Sequence, residues 1–281
     1  MNPGTIISEQ YELMEEIGRG HLGIVYKAQK LSDQNLFAIK ILTKQTDRDI
    51  QRFQREVRAA SKFDHSNIVR VYDLGSTVDG APYIVMELVT GTTLRKVIRT
   101  EGKLLAERCV NIFKQICDAL AHLHEAGIVH RDLKPANIMI VPSGKSEIVK
   151  LVDFGLALPA DPIAAKAEKV TLDGYVTGTP AYMSPEQCLS EHVDSRSDIY
   201  SLGCVMFRAL TGLAPIAGAT PQDTMTKQVR TPPTPFARAA GAKDIPPHLQ
   251  QVILKCLEKK PDDRYQNVTD LKNDLSLLSG R

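Results

Sequence analysis

The sequence has no excess of either charge: 35 basic against 33 acidic residues leave a formal net charge of +2. A general nucleic-acid binder needs a basic bias, so that class is excluded. Cysteine is sparse. Cys109, Cys117, Cys188, Cys204 and Cys256 are odd in number and scattered, with no CxxC pair, which predicts reduced thiols in a cytoplasmic protein rather than a disulfide framework. No basic stretch followed by an apolar run opens the chain, so no signal peptide is expected. The most apolar long segment, residues 202–219, is interrupted by Arg208 and broken by Gly and Pro. It reads as a core helix and a loop, not a membrane span. A longer parent could still carry an anchor or sensor past Arg281. There is no internal repeat, no low-complexity tract and no P-loop. What is present is an ordinary globular composition, 43% apolar and 24% charged, long enough for one large domain or two lobes.

The first ninety residues read as strands: 11–17, 24–30, 36–42, and then 68–74 and 83–88, with Gly-rich and Ser-Asp-Gln-Asn turns between the first three. One helix interrupts them, with Asp47 as its cap and Ile50, Phe53, Val57 and Ala60 at helical spacing. After a short link at 87–91 the pattern becomes helical. Leu105, Cys109, Ile112, Phe113, Ile116, Leu120 and Leu123 form an apolar stripe that Gly127 stops. Helices are also expected over 194–210, 247–257 and 268–278. Residues 160–169, rich in Ala and Lys, are the expected mobile stretch.

Three clusters carry chemistry. Gly18-Arg19-Gly20-His21-Leu22-Gly23 is followed by Ile24-Val25-Tyr26-Lys27-Ala28, which alternates as a second strand and not as a dinucleotide-fold helix. A glycine-rich hairpin tip can lay its N–H groups over phosphates, although the glycines could equally serve a turn that needs positive φ. Lys40 ends the strand beside that loop, and Glu56 lies on the following helix. Paired, they would aim an ammonium at phosphates; separately, each would be a solvated charge. The densest cluster is His130-Arg131-Asp132-Leu133-Lys134-Pro135-Ala136-Asn137, with Asp153-Phe154-Gly155 downstream. Phosphoryl transfer needs positioning and charge neutralisation more than covalent help. Asp132 can orient a hydroxyl and take its proton, Lys134 can steady the transferred group, and Asn137 and Asp153 offer the oxygen ligands magnesium prefers.

With these motifs in order from about Tyr11 to Leu278, the chain resembles the eukaryotic-type protein kinase family. The resemblance implies an α+β, bilobal protein-kinase-like fold over residues 1–281. Residues 1–88 would form a small antiparallel-sheet N-lobe with one main helix, and 89–281 a larger helical C-lobe for catalysis and substrate docking. It implies ATP as the nucleotide with Mg2+, or Mn2+ in its place. Ile17, Gly18, Gly20, Gly23, Val25, Ala38, Lys40, Met86, Glu87, Val89 and Met139 would contact ATP. Asp132, Lys134, Lys40 and Glu56 would be catalytic, and Asn137 and Asp153 would hold the metal. Asp198 matches the buried aspartate that anchors the catalytic loop, and Glu186 with Arg264 a buried ion pair behind the activation segment. Ser184 stands where alanine is usual. Thr179 would be a structural partner of Asp132 and Lys134.

Lys134 and Thr179 resemble the serine/threonine branch, and residues 178–187 the bacterial receptor-type kinases. The implied partners are proteins with Ser or Thr, with no nucleic acid, no membrane segment in this chain and a homodimer through the N-lobe. Thr171 and Thr177, facing Arg131, are the expected regulatory phosphosites. Two other classes compete. A pseudokinase would have lost Lys40, Asp132, Asn137 or Asp153, and all four are present. A small-molecule phosphotransferase of related fold would lack the 179–186 segment and Arg264.

Overall fold

A computed structural model describes residues 2–20, 23–43, 64–144, 146–152, 179–239 and 244–277, and the backbone of 158–159. The chain divides into two compact units, Met1–Thr90 and Gly91–Arg281. The helix expected from Asp47 to Ala60, with Glu56, and the stretch 160–169 lie outside the described residues.

In the first unit, β1 (Ile6–Ile7), β2 (Tyr11–Arg19), β3 (Gly23–Lys30), β4 (Leu36–Leu42), β5 (Val71–Ser76) and β6 (Pro82–Glu87) make a six-stranded antiparallel sheet in the order β1-β2-β3-β4-β6-β5. Alternation decides its faces. Leu13, Ile24, Tyr26, Ala28, Ile39, Ile41, Tyr83 and Val85 form one buried cluster. The residues between them point the other way, and Val25, Lys27, Lys40, Ile84 and Met86 are only half-buried. The fifth strand begins at Val71, later than its apolar run suggested.

The second unit opens with β7 (Thr92–Thr93), α1 (Leu94–Glu101) and α2 (Ala106–Glu125). Cys109, Ile112, Phe113, Ile116, Leu120 and Leu123 of α2 are buried, as their spacing predicts. Leu105 is not: it is the N-cap residue and 80% exposed. Gly127 stops the helix region at φ 72°. β8 (Ile128–Val129), β9 (Ile138–Ser143), β10 (Ser146–Leu151) and β11 (Leu158–Pro159) form two small antiparallel sheets, β10-β9-β7 and β11-β8. Among the described residues five more helices follow: α3 (Pro185–Leu189), α4 (Ser195–Thr211), α5 (Pro221–Arg230), α6 (Pro247–Cys256) and α7 (Val268–Ser276). Helix α4 is buried on nearly every side, so it is the unit's central element. Asp194 caps its start, with the carboxylate accepting from Arg196 N, and Gly212 ends it in the left-handed conformation. A sheet-rich unit followed by a helix-rich one makes the fold class α+β. Among the described residues no helix is long and apolar enough to cross a membrane.

Candidate active site

In the first unit, register brings the nucleotide candidates onto one face. Gly18 opposes Val25, Val25 opposes Lys40 and Lys40 opposes Ile84; Ala38 lies between Lys27 and Met86. Directly opposed residues share a face, so Gly18, Val25, Ala38, Lys40 and Met86 lie together, away from the buried cluster. Ile17 sits in the β2 irregularity and is 47% exposed. Glu87 is on the opposite face, with its carboxylate accepting from Arg70 N. Val89 follows the strand, half-buried.

The loop glycines differ in how tightly their surroundings constrain them. None of Gly18, Gly20 and Gly23 has positive φ, so the turn explanation does not apply. A Cβ on Gly23 would lie 2.3 Å from the carbonyl oxygen of Ile41, a backbone atom that cannot move aside. At Gly18 it would meet only Val25, at an ordinary 3.8 Å. Packing therefore requires Gly23, whereas among the described residues neither packing nor φ requires Gly18. Gly23→Ala is expected to destabilise the domain by roughly 1–3 kcal/mol in denaturant unfolding. Gly18→Ala should fold normally and raise KM for ATP. A stable Gly23→Ala, or a Gly18→Ala with unchanged KM, would reverse these assignments.

In the second unit the loop after β8 is built around Asp198 in the first turn of α4. Its buried carboxylate accepts from His130 N (2.8 Å) and Arg131 N (2.9 Å), and His124 Nε2 lies 2.8 Å from Oδ2. Burial pushes the Asp198 carboxyl up, but the His124 hydrogen bond and charge, with the His130 N–H, bring it below its ordinary value. Arg131 adopts φ 64°, a strained conformation worth about 1–3 kcal/mol that persists only where its surroundings hold it. Asp132 Oδ2 then receives Lys134 Nζ at 2.6 Å and Asn137 Nδ2 at 3.2 Å. Asn137 Nδ2 also donates to Asp132 O (2.9 Å). Asp132, Lys134 and Asn137 thus converge. Asp132 Oδ1 and Asn137 Oδ1 accept no hydrogen bond among the described residues. Met139 is half-buried on β9. Asp153, Thr171 and Thr177 lie outside the described residues.

The segment from Thr179 is fixed from below. Gln228 Nε2 donates to Pro180 O (3.0 Å) and Ser201 Oγ to Tyr182 O (2.7 Å). Glu186 meets Arg264 through two bonds, 2.8 and 2.9 Å, with both side chains buried. Arg264 spends its other donors on the carbonyls of Glu258, Arg196 and Lys259. Burial pushes the Glu186 carboxyl up, but the Arg264 guanidinium, helped by Ser197, overcomes it and holds the group below its ordinary value. Thr179 departs from expectation. Among the described residues its hydroxyl bonds neither Asp132 nor Lys134. Thr179 is exposed, and its carbonyl accepts from Tyr182 N.

Sequence reasoning passed over two features here. Ser184 is the N-cap of α3, in a reciprocal capping box with Gln187, and the spacing Ser184-Pro185-Glu186-Gln187 is the readable signal of such a box. Nothing in the sequence marks His124, which an apolar stripe makes look like an ordinary helix-end histidine.

The protein kinase domain family matches residues 11–274. Serine/threonine-protein kinase PknB of Mycolicibacterium smegmatis is 42% identical over 275 residues, covering 96% of this chain and 43% of that protein. PknB of Mycobacterium tuberculosis is 40% identical over 281 residues, covering 98% and 44%. Serine/threonine-protein kinase pkn3 of Myxococcus xanthus is 37% identical over 279 residues, covering 98% and 51%. The chain spans about half the length, or less, of these curated relatives. It belongs to the protein kinase family, whose members use ATP with magnesium. Within that family these three relatives are bacterial serine/threonine-protein kinases.

Proposed function

We propose that the chain is the catalytic domain of a serine/threonine protein kinase, transferring the γ-phosphoryl group of ATP to Ser or Thr hydroxyls of cytoplasmic proteins. The observation that carries this reading is the state of Asp132: one carboxylate oxygen is held by Lys134 and Asn137, and the other is left open to accept from a hydroxyl. That open oxygen orients the substrate hydroxyl and takes its proton as the oxygen–phosphorus bond forms and the bond to the leaving diphosphate breaks. Lys134 balances charge on the transferred group. The donor set suits a hard cation: Asn137, held through its Nδ2, keeps a neutral oxygen that accepts no hydrogen bond among the described residues, and Asp153 would add a carboxylate. A bound magnesium or manganese ion would supply neutralisation of phosphate charge. Gly18, Gly20, Val25, Ala38, Lys40 and Met86 would contact the nucleotide from the sheet face, with Ile17, Gly23 and the backbone of Glu87 and Val89 beside them. Glu56 would orient Lys40, and Met139 would be a further nucleotide contact. A pseudokinase is disfavoured by the preserved Asp132–Lys134–Asn137 geometry.

Regulation belongs to the same reading. Phosphate on Thr171 or Thr177 would add about −1.5 to −2 charges and acceptor oxygens for Arg131. A single experiment tests both layers: the purified domain is incubated with labelled ATP, magnesium and a protein substrate, and products are hydrolysed and mapped. Label is expected on phosphoserine and phosphothreonine of the substrate and on Thr171 or Thr177 of the enzyme. No transfer, or phosphotyrosine alone, would overturn the kinase reading. The double variant Thr171→Ala, Thr177→Ala should be slower by on the order of tenfold, the worth of one or two charge-assisted hydrogen bonds. Equal rates would remove the switch and leave the kinase.

A further inference from the structure

Arg131 is the point where the catalytic loop is most distorted. With φ at 64° and Asp132 N donating back to His130 O (2.9 Å), it makes a tight γ-turn of the rare, strained kind. Two peptide planes meet at its Cα, and each is gripped by one side chain. The plane carrying Arg131 N is held by Asp198 Oδ1 (2.9 Å). The plane carrying Arg131 O, which also carries Asp132 N, is held by Gln187 Nε2 (2.8 Å). The orientation of the Gln187 amide is itself determined. Its Oε1 accepts from Ser184 N (3.0 Å) and Ser184 Oγ (3.3 Å), so the NH2 group must face Arg131. Gln187 follows Glu186 in α3, and Glu186 is locked to Arg264. An anchored docking helix therefore ends, through one amide, on the peptide next to Asp132.

We propose that Gln187 is a positioning residue: with Asp198 it holds the left-handed turn at Arg131 and so aims Asp132, linking the seating of the docking segment to turnover. This rests on the reading of Asp132 as the residue that receives the hydroxyl proton. Displacement of a catalytic group by a fraction of an ångström to 1 Å costs rate without weakening nucleotide binding.

The test uses two substitutions and two backgrounds. Gln187→Glu keeps the acceptor for Ser184 N, and with it the capping box, but loses the donor to Arg131 O. Gln187→Met removes the donor without adding charge. Both should lower kcat about 10- to 100-fold with KM for ATP nearly unchanged. Glycine adopts positive φ without strain, so in an Arg131→Gly background Gln187→Met should cost less than about threefold in kcat. An equal fold loss in both backgrounds would mean a general structural role and overturn the proposal, as would unchanged kcat in both Gln187 variants. Should Gln187→Met fail to fold, Gln187→Glu carries the comparison. Asp132→Asn is measured alongside. If it turned over like wild type, the kinase reading itself would fall; if it is inactive while the Gln187 variants are normal, only the positioning role falls.

Discussion

Asp132→Asn is expected to lower kcat on a protein substrate by about 10²–10⁴-fold while leaving ATP affinity within about twofold of wild type. The size of the loss follows from which way the new amide must turn. Lys134 Nζ and Asn137 Nδ2 are both donors, and both point at Oδ2 of Asp132. An asparagine here keeps its carbonyl oxygen toward them, since the alternative sets NH2 against NH2 and against an ammonium. Its NH2 then occupies the position of the open Oδ1 and offers a donor to a hydroxyl that needs an acceptor. Both orientation and proton acceptance are lost. Asn137 keeps its bond to the backbone carbonyl of residue 132, so its side chain stays in place and nucleotide binding is expected to survive. Steady-state kinetics with nucleotide titration checks the split. Near-normal turnover would remove Asp132 from its assigned role, and a large fall in ATP affinity would show that the loop had collapsed instead.

Legibility in the sequence followed apolar periodicity. The strands of the first unit could be placed because alternation and turn residues agree in them, and α2 and α4 because their buried stripes are long. Helix α5 was missed because it buries Thr224 and Gln228 and has no apolar stripe, although Thr220 before Pro221 is a cap and first-turn proline that could have been read. Helix α1 packs Leu94, Val97 and Ile98 in eight residues, too short for a period to stand out beside its Arg and Lys. Leu105 was misplaced because a leucine just before a helix extends its stripe on paper, whereas at the N-cap it points to solvent. In the active site, residue identity announced Asp132, Lys134 and Asn137, since few other arrangements would gather such groups. The strain at Arg131 and the amide of Gln187 that holds it were not legible. A backbone dihedral carries no residue signature when the residue is not glycine, and a contact between positions 131 and 187 exists only once the chain is folded.

Arg264→Ala is expected to be the most destabilising single change outside the catalytic loop. Arg264 donates five hydrogen bonds, two to Glu186 and three to backbone carbonyls, and its guanidinium lies 4.9 Å from the centre of the Tyr200 ring. Truncation leaves a buried carboxylate with Ser197 as its remaining side-chain partner and three carbonyls short of a donor. Breaking one side of a buried pair costs about 3–5 kcal/mol, roughly 5–15 °C in Tm for a domain this size. The pH dependence separates this cause from lost packing. In the wild type the Glu186 carboxyl is held below its ordinary value. Its contribution is therefore complete above the unfolded value of about 4.3 and is lost as pH falls through the lower folded value. In the variant the guanidinium is gone, and burial, the largest influence, is opposed only by the Ser197 hydroxyl and a backbone N–H, so the carboxyl is expected to rise. Protonation then relieves the buried charge, and stability relative to the unfolded chain increases as pH falls through that raised value. The Tm gap between wild type and variant should be widest near pH 7 and narrow toward pH 4. Thermal unfolding at the two pH values decides it. A gap that stays constant would mean that lost packing against Tyr200, and not the stranded Glu186 charge, accounts for the destabilisation.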